Sequence, residues 1–241
     1  MRSTRIYYPH ALQIGQTVSL IDQAANHLRN VLRAEIDDVC VLFNGDGYEY
    51  QAKIIALNKK DVQVQITDNI LCLRQSPLII HLGQGISRGE RMDWVIQKST
   101  ELGVCEITPL ITERCNVRLD NERWEKKRQH WQAVAMSACE QSGRTDRVTI
   151  HMPQLLNTWL QPPFTGMRIM LDPQANKNIK ELATPTAIQL LIGSEGGLSD
   201  NEIQHATTAG FVGIQLGPRI LRSETAPLAA ISILQNLFGD L

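Results

Sequence analysis

"AIQLLIGSEGGLSDNEIQHATTAGFVGIQLG", residues 187–217, holds one full structural period. An apolar run stops at Gly193, and a glycine-rich turn follows with Glu195, Gly196 and Gly197. Ser199 and Glu202 then spell the box that opens a helix. "FVGIQLG" begins a second apolar run after that helix. Strand, turn, helix and strand in this order predict α/β architecture with a mainly parallel sheet.

The same grammar extends outward. Upstream lie "LIIHLGQGI" (78–86), "ERMDWVIQKSTELG" (90–103), "CEITPLI" (105–111), the long helix "NERWEKKRQHWQAVAMSACEQSG" (121–143), "RVTIHM" (147–152) and "RIMLD" (168–172). Downstream the chain ends in an apolar helix. Residues 17–70 read differently: "TVSLI", "DVCVLFNGDGYEYQAKIIAL" and "DVQVQITDNI" are strand-like, with "NGDG" at 44–47 as a hairpin turn. One helical stretch, "QAANHLRNVLRA" (23–34), sits among them. The expectation is a small β-barrel over residues 1–73 and an α/β domain over 74–241, with the boundary near "RQSP".

Composition narrows the classes. The chain has 241 residues, 43% of them apolar. No apolar run approaches the ~20 residues of a membrane span, and "MRSTRIYYPHALQIG" lacks the apolar region of a signal peptide. A cytoplasmic protein without a membrane partner is expected. The five cysteines are odd in number with no C-x-x-C pair, and the histidines form no H-x-x-x-H pair. Neither a disulfide framework nor a metal site is expected. The formal net charge is −1, and no third of the chain is strongly basic, so a nucleic-acid partner would have to meet a local patch.

Two stretches could carry chemistry. The turn after Gly193 joins a strand end to a helix N-terminus, where a ligand can lie against main-chain amides. Glu195 in that turn would repel a pyrophosphate, so the place suits a neutral or cationic nucleoside-like ligand. A tight turn needing glycine only for its backbone angles is the alternative. The second stretch, "LGPRILRSETAPLAAISILQ" (216–235), repeats the arrangement: a Gly217-Pro218 bend follows a strand, and Arg219, Arg222 and Glu224 stand before a helix. Pro227 falls in the first helical turn, where its missing amide is tolerated. Leu228, Ile231, Leu234 and Phe238 form an apolar stripe, so a packed helix fixes the charges at its mouth; a surface ion pair is the alternative. Weaker groups are His27, Arg29 and Arg33; Ser87, Arg88 and Arg91; Arg114 and Arg118; and Glu140, Gln141 and Arg144. Each alone reads as a solvated helix face or a cap. Together with Arg5, the residues His27, Arg29, Arg33, Arg88, Arg114 and Arg144 are the candidates for phosphate contacts.

"LLIGSEGGLSDNEI" and "LGPRILRSETAPLAAISIL", with "HLGQGISRGERMDWVIQKSTELGV", "ITPLITERC" and "ACEQSGR" before them, resemble the RsmE family of 16S rRNA (uracil-N3)-methyltransferases in the SPOUT superfamily. The likeness covers essentially the whole chain. It implies a PUA-like RNA-binding barrel, a C-terminal SPOUT domain with a deep trefoil knot, a homodimer, S-adenosyl-L-methionine as methyl donor, and a uridine of 16S rRNA on the 30S subunit as target. By position it implies a cofactor pocket of Leu171 with the following "DPQA" (172–175), then Gly193, Glu195, Gly196 and Gly197, then Leu216, Gly217, Ile220, Leu221, Arg222, Thr225 and Ala226. Arg222 would donate to a uracil oxygen, and Glu195 or Glu224 would receive the N3 proton, unless Glu195 only complements the sulfonium. The chain departs from the family pattern at Ser194, Ser223 and Pro227, none of which removes a reactive group. Two other readings stay open: a knotted methyltransferase acting on a tRNA base or a ribose 2′-hydroxyl, and a non-catalytic RNA-binding protein.

Overall fold

The structure is a computed structural model that describes residues 4–115, 117 and 120–241; Arg118 lies outside the described residues. The chain divides into two compact units, one reaching to Gln75 and including Cys139–Arg147, the other made of Ser76–Ala138 and Val148–Leu241.

The first unit is a five-stranded sheet of β1 (Arg5–Tyr7), β2 (Thr17–Ile21), β3 (Val39–Phe43), β4 (Tyr48–Leu57) and β5 (Asp61–Leu71). Their order is β1-β3-β4-β5-β2, antiparallel except for the β1/β3 pair. Alternation explains its core: Val18 and Leu20 on β2, and Val62, Val64 and Ile66 on β5, all turn inward and are buried. Asp46 holds the β3/β4 hairpin, accepting from the Tyr48 N–H at 2.9 Å and the Tyr50 hydroxyl at 2.6 Å. The helix expected over 23–34 is shorter. It comprises α1 (Asp22–Asn26) and a wide π-type turn, His27–Val31, that together bury Ala25 and Leu28. Arg33 then adopts φ 53, which ends any right-handed helix.

The second unit carries an all-parallel sheet of β6 (Ile79–Gly85), β7 (Glu106–Ile111), β8 (Thr149–Ile150), β9 (Gln154–Leu155), β10 (Met167–Leu171), β11 (Ala187–Ile192) and β12 (Val212–Ile214). The order is β12-β10-β11-β6-β7-β8, with β9 also paired to β7. From β6 the chain builds outward through β7 and β8, then crosses to the other flank. The order therefore reverses between β6 and β11, and a ligand crevice is expected beyond their carboxyl ends. Helices α2 (Glu90–Glu101), α3 (Asn121–Ser142), α4 (Leu156–Leu160), α5 (Asp200–Thr208) and α6 (Thr225–Phe238) complete the chain. Sequence periodicity missed α4, because five residues are too few to show it. Packing creates that helix: Trp159 lies over Gly83, where a Cβ would stand 2.4 Å from the indole ring.

Of the expected stripe on α6, Ile231 and Leu234 are buried together with Ala230, Leu228 and Phe238 are half-buried, and α6 packs on α2. A polar group shares this interior. Gln235 is fully buried, donates from Nε2 to the Leu102 carbonyl at 3.0 Å and accepts from Ser76 Oγ at 2.6 Å. Gln235→Leu leaves both partners unmatched and is expected to lower stability by about 1–3 kcal/mol, read from the shift in denaturant midpoint. The thiols offer a second test. Burial pushes the Cys40 thiol up to about 12, so native protein should leave Cys40 unmodified by an alkylating reagent at neutral pH and expose it only on unfolding; mass mapping of the modified peptides checks this.

Candidate active site

Three loops leave the carboxyl ends of β10, β11 and β12 and enclose a cavity of about 990 Å³. The central loop is locked by backbone contacts. A Cβ on Gly193 would lie 2.7 Å from the Gly197 carbonyl carbon, and one on Gly85, the last residue of β6, only 2.3 Å from the Ser194 amide nitrogen. The Gly197 amide closes the turn on the Ser194 carbonyl at 2.8 Å, with Gly197 at φ 72. Ser194 is buried and its Oγ accepts from Thr112 Oγ1 at 3.2 Å, while Arg114 Nη1 donates to the Gly196 carbonyl at 3.0 Å. The expected box at the start of α5 is present: Ser199 Oγ accepts from the Glu202 N–H, and Glu202 accepts from the Ser199 N–H. The other oxygen of Glu202 accepts from the Glu113 N–H at 2.8 Å, so one buried carboxylate caps α5 and anchors the segment after β7.

The charges at the cavity are divided. Glu195 accepts from the Arg88 N–H at 2.9 Å and from Arg91 Nη1 at 3.1 Å. Burial pushes its carboxyl upward, but those donors outweigh burial and hold it below its ordinary value. Arg91 Nε also stands 3.9 Å from Glu224 Oε1, so one arginine of α2 reaches an acid in each of two loops. Glu224 Oε2 accepts from Ser223 Oγ, which is in turn bonded to Ser87 Oγ at 3.2 Å. The Arg222 side chain lines the cavity and has no hydrogen-bond or ion-pair partner among the described residues, although its carbonyl accepts from the Thr225 and Ala226 amides and so begins α6.

Of the residues expected in the pocket, Leu171, Gly193, Glu195, Gly196, Gly197, Leu216, Gly217, Ile220, Leu221, Arg222 and Ala226 line the cavity. Thr225 does not; it starts the helix behind Arg222. Asp172, Pro173 and Gln174 of the expected segment after Leu171 line it too, whereas Arg91, Arg114, Leu198 and Ile214 line it without having been assigned to it from sequence. The basic residues scatter. His27 and Arg33 are exposed, Arg88 is exposed with its amide on Glu195, and Arg29 donates to the Asn58 and Lys59 carbonyls. Arg5 and Arg144 correct the expectation of RNA-facing charge. Arg5 is paired with Glu49, bonded to the Arg144 carbonyl at 2.7 Å and placed over the Phe43 ring. Arg144 is 5% exposed and paired with Asp146. Both charges are satisfied inside the first unit. Away from the cavity, His81, Glu106 and His151 stand close enough to hold a metal ion.

Known proteins agree with this layout. The RNA methyltransferase domain family matches residues 74–235, and the RNA methyltransferase PUA domain family matches residues 20–67. Fold and pocket thus define an RNA methyltransferase with an N-terminal PUA domain. The ribosomal RNA small subunit methyltransferase E of Buchnera aphidicola subsp. Schizaphis graminum is 40% identical over 100% of this chain and 98% of its own length. That of Bacillus subtilis is 30% identical over 92% of this chain and 90% of its own. The chain belongs to the ribosomal RNA small subunit methyltransferase E family. Among solved structures, the family member from Neisseria gonorrhoeae bound to S-adenosyl methionine superposes with a TM-score of 0.93 at 39% identity, covering 100% of both chains. A Legionella pneumophila chain in complex with SAM gives 0.97 at 43% identity, again over 100% of both.

The backbone contact of Gly85 supplies a test of how the site is held. Gly85→Ala, outside the cavity wall, forces the Gly193-Ser194 turn to move and is expected to destabilise the protein by about 1–3 kcal/mol, measured by denaturant unfolding.

Proposed function

We propose that this chain transfers a methyl group from S-adenosyl-L-methionine to N3 of a uridine in 16S rRNA. The observation that carries the reading is the unpartnered Arg222 guanidinium, set beside Glu195, Glu224 and the glycine loop at one cavity. The cavity fits the donor: Leu171, Leu198, Ile214 and Leu216 offer apolar walls, the glycine loop offers bare backbone, and Glu195, Glu224 and Asp172 complement a positive charge. When bound, S-adenosyl-L-methionine supplies an electrophilic methyl carbon on a sulfonium centre.

The chain's own residues have two tasks. One is alignment, since holding the uracil in line with the methyl carbon is worth up to ~7–11 kcal/mol. The loops are suited to it because close backbone packing and α6 fix them. The other is charge. Uracil N3 is a poor nucleophile until it loses its proton, and the negative charge then spreads onto the ring oxygens. Arg222 donates to one of those oxygens. Glu195 is a weak base, held ionised by Arg88 and Arg91, so its role is charge complementarity to the donor. That leaves Glu224 to receive the N3 proton, directly or through water.

The remaining assignments belong to the same proposal. Residues 1–73 serve as the PUA-like RNA-binding domain and residues 74–241 as a SPOUT domain with a trefoil knot, and the target base is splayed from its stack. The exposed His27 and Arg33 are suited to phosphate contacts. The protein acts as a cytoplasmic homodimer on the 30S subunit. The half-exposed Trp94 and Leu237, on the mutually packed α2 and α6, support the dimer. Among the described residues no helix is long and apolar enough to cross a membrane.

The test is transfer from labelled S-adenosyl-L-methionine to 30S subunits, and to free 16S rRNA, from a strain lacking this protein. Recovery of label as 3-methyluridine from subunits is expected; label in a ribose or in tRNA, or none despite cofactor binding, overturns the reading. Arg222→Ala should lower turnover about 100- to 1,000-fold while cofactor affinity changes little, and unchanged turnover would remove Arg222 from the mechanism. Glu195→Gln should instead weaken cofactor binding, about tenfold, more than it lowers turnover.

A further inference from the structure

A polar row crosses the parallel sheet. Strand register pairs Arg168 on β10 with Gln189 on β11, Gln189 with His81 on β6, His81 with Glu106 on β7, and Glu106 with Thr149 on β8. Register partners project from one face of a sheet, and parallel sheets covered on both faces normally carry apolar side chains there. One end of the row is satisfied internally: Arg168 donates to Gln189 Oε1 at 2.9 Å and to the Ala209 carbonyl at 2.6 Å. The other end converges. His151, two residues beyond Thr149 and so on the same face, places Nε2 2.7 Å from Glu106 Oε2. His81 Nδ1 lies 3.9 Å from that same oxygen, and the ligand atoms of the three residues all fall within 4.8 Å of one another.

We propose that His81, Glu106 and His151 form a binding site for a divalent transition-metal ion of the zinc type. Two imidazoles and a carboxylate are a donor set that zinc takes, whereas magnesium and calcium prefer oxygen alone. Ligands about 2.0–2.2 Å from a tetrahedral zinc stand roughly 3.3–3.6 Å apart. The separations of 2.7 and 3.9 Å bracket that range, so small rotations of the half-exposed Glu106 and His151 side chains about the more buried His81 suffice. The supporting contacts suit the role. His81 Nε2 lies 2.8 Å from Thr108 Oγ1; with that nitrogen donating, the Nδ1 lone pair faces the carboxylate. Trp159 stands edge-on to the His81 ring at 5.5 Å, and its own buried indole N–H has no hydrogen-bond partner. A cavity of about 220 Å³ bordered by His81, His151, Trp159 and Phe164 gives room for a water as fourth ligand. Glu106 and His151 keep 46% and 39% of their side-chain surface, which leaves a route of entry.

None of these residues lines the larger cavity, so the site is independent of the methyl-transfer reading. It revises the expectation of no metal site. The ion would join β6, β7 and the segment after β8.

The experiment uses the full chain, stripped with a chelator and titrated with Zn²⁺ by calorimetry and with Co²⁺ by visible absorption. Expected are one ion per chain, a cobalt spectrum without a thiolate charge-transfer band, a rise in Tm with Zn²⁺ but not with Mg²⁺, and at least tenfold weaker binding in both His151→Ala and Glu106→Gln. A thiolate band, unchanged affinity in both variants, or no binding at micromolar Zn²⁺ would overturn the proposal. Should either variant fail to fold, the cobalt spectrum and Tm response of the unaltered protein decide the matter.

Discussion

Between the last residue of β6 and the turn after β11 there is no room for a side chain. Gly85 abuts the Ser194 amide and the Gly193 carbonyl carbon, and Gly193 in turn abuts Gly197 and Leu198. Such backbone contact fixes a loop more tightly than side chains can, because the main chain has no rotamers to escape into. The cavity inherits that rigidity. Its central wall is an extension of the sheet, and Glu202 ties it further to α5 and to the segment after β7.

On this frame the charges sort by connection. Arg91 reaches two acids, one in each of two loops, and Arg114 is bonded to the glycine loop. Arg219 and Arg222, both at the cavity, are unlike them: neither guanidinium is engaged among the described residues, and the Arg222 carbonyl is held by the start of α6. A donor left uncommitted in this way can meet charge that develops during a reaction without an existing ion pair having to break first.

What the sequence made legible was local. The glycine turn, the Ser199/Glu202 box and the buried stripe of α6 are each written within a few neighbouring residues, so spacing revealed them. Arg91 was visible only as one more arginine on a helix, because its two partners lie far along the chain. The inward burial of Arg5 and Arg144 was equally hidden, since it depends on Glu49, Phe43 and Asp146 arriving from elsewhere. The polar row is the extreme case. Gln189, His81 and Glu106 are unremarkable singly and become a line only once the register of four parallel strands is set. The early end of the first helix had the same cause, a backbone choice at Arg33 that residue type does not announce.

The strand order also governs when the protein can become itself. β6 emerges early in its domain, yet one of its two neighbours, β11, begins at Ala187, more than a hundred residues after Ile79. Contacts that distant form slowly, because the intervening chain must be confined first. During synthesis β6 can pair with β7 at once but keeps its other edge open until most of the domain has been made. The pocket is therefore a late product of folding, and partly made chains carry an exposed apolar strand edge that invites pairing with other chains.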